Sequence, residues 1–357
     1  MSEELAAAEP AALTAEPIPH WPGTLVSLGD YEVYVRSTSP GPLQPDIPEP
    51  DNTKPEYPGV NGSAPERELE PEPALCVHGL EGSSRNWTDL MNLLRPRLAC
   101  DALDLPGFGD SPPRPDGRYS LAALAQTVSA LIERRGRGPV HLIGNSLGGA
   151  VCVKVAATRP NLIRTLTLIS PALPDSRPRL DLLWFPLISL PRIGPRLLHR
   201  YQGMPPQARV ADVIANCYCD PALFSPVRLA TEVAELSRRD SLGYATAALV
   251  GSIRTLTAET LRVGRHSAWR EAARVTAPSL VIYGRHDRLV DPRLAGRAGR
   301  VFRDARIVVL PRTGHVAHME HPGAVAAEIG ILLGIPGGFG RLTQERAGEA
   351  DTQSVQH

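Results

Sequence analysis

PVHLIGNSLGGAVCVKVAATR, residues 139–159, sets an apolar strand-like run before a Gly-x-Ser-x-Gly turn and a helix-like run after it. The five-residue motif alone recurs by chance; strand, turn and helix around it read as a nucleophile elbow with Ser146 as the nucleophile. Such a turn is tight and strained, so Gly144 and Gly148 must be small enough for strand and helix to approach. A helix starting at Leu147 would point its free N–H groups and positive dipole end at an oxyanion forming beside Ser146. The competing reading of the same residues is a glycine-rich loop that holds a phosphate or simply turns the chain.

Upstream, TLVSLGDYEVYVRS predicts a β-hairpin with strands near 24–28 and 31–36 about Gly29-Asp30. Residues 1–20 are rich in Ala, Glu and Pro and are expected to be disordered. Residues 38–73 are acidic and proline-rich, with almost no apolar run, and should loop out as a solvated insertion. Order returns with ALCVHG, a helix-like stretch from Asn86 to Leu98, the strand CDALDL and the amphipathic SLAALAQTVSALIERR, which leads into the elbow strand. TLTLIS follows at 165–170. This alternation predicts an α/β fold, a mostly parallel sheet sandwiched by helices, with reactive groups at the carboxyl ends of the strands.

After Ser170 the alternation stops, and residues 171–273 read as helices punctuated by Pro and Gly, a helical cap inserted into the sheet domain. The second part of the core, 274–335, holds the strands APSLVIYG and ARIVVLP and the closing helix HPGAVAAEIGILLG. The tail, 336–357, is expected to be disordered.

Ser146 needs a general base and a group to orient it, both on loops at later strand ends. His315, after ARIVVL, is the candidate base. Asp287, three residues after SLVIYG, is the candidate acid, with Asp291 and then Asp175 as rivals. His318 and His321 read as surface or helix-capping residues, His286 as a loop neighbour, and His141 as a satisfied strand histidine.

HG at 78–79, DLPGFGDS at 104–111, GNSLGG at 144–149, GRHDRLVDP at 284–292 and GHVAHMEHP at 314–322 together resemble the α/β-hydrolase fold family, in the order Ser, Asp, His. The likeness spans about residues 21–335, excluding the acidic insertion. It implies acyl transfer through Ser146, Asp287 and His315, an oxyanion hole from the N–H groups of Leu80 and Leu147, and no cofactor. It also implies that His78 shapes backbone and that Asp104 and Asp110 are turn carboxylates. Glu81 departs from the pattern, because a carboxylate beside a developing oxyanion opposes it unless turned away. Relatives that open epoxides or remove halides carry Asp at the nucleophile position, where this chain has Ser146. The reading is a serine hydrolase of a small apolar carboxylic ester. A carbon–carbon hydrolase of meta-cleavage type and a non-catalytic ligand-binding protein on the same fold are the alternatives. Trp184 and Phe185, near the start of the cap, are the candidate substrate-binding residues.

Composition excludes other classes. With 38 basic and 38 acidic residues, no global field draws in nucleic acid or an anionic membrane. The longest apolar run, LLWFPLISL at 182–190, is too short to span a bilayer and is broken by Pro186. An odd number of cysteines, 5, suits reduced thiols in a cytoplasmic protein. Cys217-Tyr-Cys219 has no partner at zinc-like spacing, so no metal is expected. The acidic start, MSEELAAAEPAALTAEP, lacks the basic and apolar regions of a signal peptide.

Overall fold

Period-two alternation along the strands explains why the sheet is covered on both faces. In β3 (Glu72–Val77), Leu75 and Val77 join one apolar cluster while Ala74 and Cys76 join the other; in β5 (Val140–Asn145), Leu142 and Ile143 divide the same way. The computed structural model describes residues 17–38, 70–175, 187–190, 192–262, 264, 267–335 and 339. Among these, β1 (Gly23–Ser27), β2 (Glu32–Ser37), β3, β4 (Leu98–Leu103), β5, β6 (Ile163–Ile169), β7 (Ser279–Gly284) and β8 (Ala305–Leu310) form one sheet ordered β1-β2-β4-β3-β5-β6-β7-β8. β1 and β2 are antiparallel, joined by a two-residue turn in which Gly29 takes φ +100° and Leu28 N–H bonds Tyr31 O at 2.8 Å. The other six strands run parallel.

α2 (Leu121–Arg135), α3 (Leu147–Thr158) and α9 (Leu294–Val301) pack on one face; α1 (Thr88–Leu94) and α11 (Pro322–Leu332) pack on the other. Ser120 caps α2 by accepting the Ala123 N–H, and Gly136, at φ 62°, ends it in the left-handed region. Strand order reverses between β3 and β5, because β4 lies to one side of β3 and β5 to the other. The crevice outside their carboxyl ends is where an open α/β sheet places a ligand.

Between β6 and β7 come α4 (Gly194–Gln202), α5 (Pro206–Cys217), α6 (Pro226–Asp240), α7 (Ala245–Leu261) and the short α8 (Ala268–Ala272). Two small apolar clusters hold this helical insert to that end of the sheet. Ile188, Leu198, Leu249 and Ile253 pack with Leu80, while Val210, Ile214 and Tyr218 pack with Val316. Arg228 adds a two-pronged pair to Asp89, at 2.5 and 2.6 Å.

Some expected boundaries shift. β3 begins at Glu72, inside the stretch read as insertion, because Glu72 N–H bonds Arg97 O at 2.9 Å and the residue pairs with Leu98 of β4; its carboxylate also accepts from His141 at 2.7 Å and from Arg164. His20, placed in the disordered N-terminus, bonds Thr88 Oγ1 at 2.7 Å. Phe339, placed in the disordered tail, is buried in the cluster around Val325 and Ile329. Residues 1–16, 39–69, 336–338 and 340–357 lie outside the described residues. Among those described, no helix is long and apolar enough to cross a membrane.

Candidate active site

Ser146 follows the last residue of β5 and precedes α3, at φ 52° and ψ −116°. An L-residue held there costs on the order of 1–3 kcal/mol, so the surroundings must over-determine it. They do: its N–H donates to Ile169 O at 3.0 Å, and its carbonyl accepts from Ala150 N at 3.0 Å and Ala172 N at 2.9 Å. The glycine requirement is equally concrete. A Cβ on Gly148 would lie 2.2 Å from Val77 O, and one on Gly144 2.6 Å from Cys152 Sγ. Gly144, Asn145 and Leu147 are buried while Ser146 is partly exposed, so the turn lifts that one side chain toward the crevice.

Asp287 and His315 come together from the turns after β7 and β8. His315 Nδ1 lies 2.9 Å from Asp287 Oδ2, and Asp287 Oδ1 accepts from Leu289 N at 2.8 Å and Val290 N at 2.9 Å. The turns are pressed together: a Cβ on Gly284 would sit 1.9 Å from Gly314 O. Burial alone would raise the Asp287 pKa, but the charge and hydrogen bond of His315 and the Val290 N–H outweigh it, and the net shift is downward. The nearby buried Ser170 hydroxyl adds to this lowering without a hydrogen bond of good geometry. The rival Asp291 instead accepts from Arg293 N at 2.9 Å and pairs with the Arg293 guanidinium at 2.6 Å. Asp175 acts electrostatically on the same arginine.

Three residues to which sequence reasoning gives no part in this site hold the His315 loop. Asn145 Nδ2 donates to Ile169 O at 3.0 Å and His315 O at 3.2 Å, tying the histidine's backbone to the residue before Ser146. From the insert, Cys217 O accepts the His315 N–H at 2.6 Å. Glu320 bridges both sides, accepting from Gly314 N at 2.7 Å and Cys219 N at 2.8 Å. Asn145 and Glu320 lie within quoted motifs; a carbonyl such as that of Cys217 has no sequence signal at all.

The HGLE turn lies against the elbow. A Cβ on Gly79 would be 2.9 Å from Asn145 Oδ1 and 3.1 Å from Ser146 Cβ. His78 is buried with both ring nitrogens engaged, Nε2 accepting from Leu105 N at 2.9 Å and Nδ1 donating to Gly79 O at 2.7 Å. Burial lowers its pKa to about 4, so it is a neutral brace. Asp104 likewise accepts from Ser84 N and Asp110 N. Glu81 is partly buried at φ 58°, and the insert reaches it: Arg239 donates to its carbonyl at 2.9 Å. Burial raises the Glu81 carboxyl pKa, with Arg239 and Arg209 opposing.

A family model for the alpha/beta hydrolase fold matches residues 73–322. The chain belongs to the α/β hydrolase fold family. Among curated relatives, the dihydrolipoyllysine-residue acetyltransferase component of the acetoin cleaving system of Pseudomonas putida is 29% identical over 70% of this chain, which spans 60% of that relative's length. A pimeloyl-[acyl-carrier protein] methyl ester esterase of Neisseria meningitidis is 25% identical, covering 70% of this chain and 88% of the esterase. The structure of a putative lipase from Acinetobacter baumannii superposes with a TM-score of 0.64 at 20% identity, covering 88% of this chain and 92% of the other.

Within this hydrolase fold the remaining histidines sort by environment. His141 is satisfied in its strand, bonded to Thr165 and Glu72, and His321 Nε2 bonds Arg312 O at 3.1 Å. His286 is exposed. His318 corrects the expectation of a surface residue: it is buried, stacked on Trp87 with ring centroids 4.2 Å apart, because α10 (Ala317–Glu320) turns it against α1. Burial, and secondarily the His315 charge, lower its pKa to about 3. The unfolded chain protonates this histidine near pH 6.5 and the folded chain does not. Its stability contribution is therefore complete above that pH and falls by about 1.4 kcal/mol per unit below it, until the folded value is reached. Thermal melts of His318→Phe against wild type should diverge in the variant's favour from pH 8 to pH 5; parallel curves would refute the burial of a neutral ring. Trp184 and Phe185, the expected substrate-binding residues, lie outside the described residues.

Proposed function

We propose that this protein is a serine hydrolase of small, apolar carboxylic esters, acting through an acyl-enzyme at Ser146. The observation that carries the reading is the Asp287–His315 pair, bonded through Asn145 to a strained Ser146 at the strand-order reversal. With Nδ1–H donated to Asp287, His315 keeps the Nε2 lone pair for the serine proton. Ser146 Oγ would attack the ester carbonyl as His315 takes its proton, and the N–H groups of Leu147 and Leu80 would receive the oxyanion. His315 then protonates the leaving alcohol, and water, activated the same way, releases the acid and restores Ser146. The placement of Gly79 beside Ser146 supports Leu80 in that role. The bond from Arg239 to the Glu81 carbonyl supports an oxyanion turn held in place by the insert.

The helical insert, residues 171–273, is read as the cap that shapes a pocket for a small-molecule substrate, with Trp184 and Phe185 contributing. Ester cleavage in the Neisseria relative supports the choice of bond. A fluorophosphonate probe should label Ser146, and p-nitrophenyl esters should be turned over. Each added methylene should raise kcat/KM about three- to fourfold until the pocket is full, following about 0.8 kcal/mol per buried CH₂. A flat profile would remove the apolar pocket from the reading. Absence of both labelling and turnover would remove the serine hydrolase.

A further inference from the structure

Apolar side chains left in solvent are concentrated on one part of this molecule. Of the 12 large hydrophobic residues exposed among those described, all but Leu25 and Ile331 lie in the helical insert. Leu187, Leu190, Ile193, Leu197 and Met204, each 37–44% exposed, cluster along α4 and its flanks. The helix explains the pattern. Gly194 and Leu198 face inward, Leu198 against Ile188, Leu249 and Ile253, while Ile193 and Leu197, one turn apart, face out.

Arginines share that outer face. Arg196 and Arg200 are one turn apart beside Leu197, with Arg192 just before the helix, and all three are exposed. The sequence from Leu187 to Ala211 contains no Asp or Glu, in a chain otherwise balanced at 38 basic and 38 acidic residues. Several arginines elsewhere in the insert have carboxylate partners: Arg209 with Asp240, Arg228 with Asp89, Arg238 with Asp110 and Glu235, and Arg262 with Glu259. Among the described residues, Arg192, Arg196 and Arg200 have none.

We propose that this face, residues 187–190 and 192–204, docks the protein on an anionic lipid surface. A short helix with aliphatic side chains flanked by unneutralised arginines suits the headgroup boundary. The aliphatic groups leave water there and the guanidinium groups meet lipid phosphates, without spanning the bilayer. The acidic stretch of the sequence joins the sheet at Glu72, the amino end of β3, whereas the insert covers the carboxyl ends. The proposal is independent of the ester reading, since it concerns binding alone.

Sedimentation of the full-length protein with phosphatidylcholine vesicles, with and without about one-third phosphatidylglycerol, tests it. Binding should require the anionic lipid and weaken with salt. Each arginine near the surface is worth roughly fivefold, so Arg192→Gln/Arg196→Gln/Arg200→Gln should bind on the order of 100-fold more weakly. The matching triple Lys variant should keep binding, and Leu197→Gln should weaken it with every charge in place. Circular dichroism checks that each variant is folded, and should the triple Gln variant fail, Arg200→Gln alone carries the fivefold test. No binding to anionic vesicles, equal binding to neutral ones, or undiminished binding by the Gln variants would overturn the proposal. So would binding that appears only after deletion of residues 40–68, which would make the acidic segment the occupant of this face.

Discussion

Replacing Ser146 with alanine is expected to lower ester turnover by roughly 10⁴- to 10⁶-fold, because nucleophile and base act as one unit and only oxyanion and binding effects survive its loss. The fold should be untouched. Alanine at φ 52° carries the same backbone strain as serine, and the bonds from Ser146 itself that hold the turn are main-chain. Ser146→Gly sharpens the test, since glycine tolerates positive φ. It should be equally inactive yet more stable by on the order of 1 kcal/mol or more, as the stored strain is released. Steady-state kinetics and thermal melts on purified protein read both effects. An alanine variant near wild-type turnover would sink the elbow chemistry. A glycine variant less stable than alanine would show that the turn is not strained.

What the sequence discloses about this fold depends on whether the cause is local. The hairpin about Gly29, the α2 helix between Ser120 and Gly136, and the β5–Ser146–α3 unit are legible because periodicity and punctuating residues agree within a dozen positions. The strand-order reversal that makes a crevice at β3 and β5 follows from alternation of elements only as a class; the actual neighbours are set by long-range pairing. Asp287 and His315 were found through chain order and their positions after strands. Sequence already ranks Asp287 ahead of Asp291, four residues on in the same loop, and the structure adds the His315 Nδ1 to Asp287 Oδ2 bond that chain order alone does not specify. His318 escapes the sequence reading because two histidines a turn apart look alike until Trp87, in the turn that leads into α1, covers one of them. Phe339 was misread for a related reason, as a lone aromatic in a polar tail has no periodic partner to announce burial. The grip of the insert on the His315 loop through Cys217 O is a backbone arrangement that no residue type encodes, and the Glu320 carboxylate that joins Gly314 N to Cys219 N is visible in sequence only as one acid within a motif.

Asp287→Asn should keep the fold and cost roughly 10²- to 10⁴-fold in turnover, through the tautomer of His315. The asparagine oxygen can still accept from Leu289 N and Val290 N, at the 2.8 and 2.9 Å now spanned by Oδ1. Its NH₂ group then faces His315 Nδ1, at the 2.9 Å where a carboxylate oxygen now sits. A donor there forces Nδ1 to accept and moves the ring proton to Nε2, the atom that must take the proton of Ser146. The lowered pKa of Asp287 means that its charge persists below the ordinary carboxylate range. The acid limb of the wild-type pH profile should therefore belong to another group. Asp291→Asn makes the contrast, because Asp291 serves an exposed ion pair with Arg293 and such pairs are worth about 1 kcal/mol or less. That variant should stay within about twofold of wild-type turnover, with a melting temperature close to wild type. If Asp291→Asn is the crippled enzyme and Asp287→Asn the active one, the orienting carboxylate is Asp291, and the turn after β7 must rearrange in solution to bring it to His315.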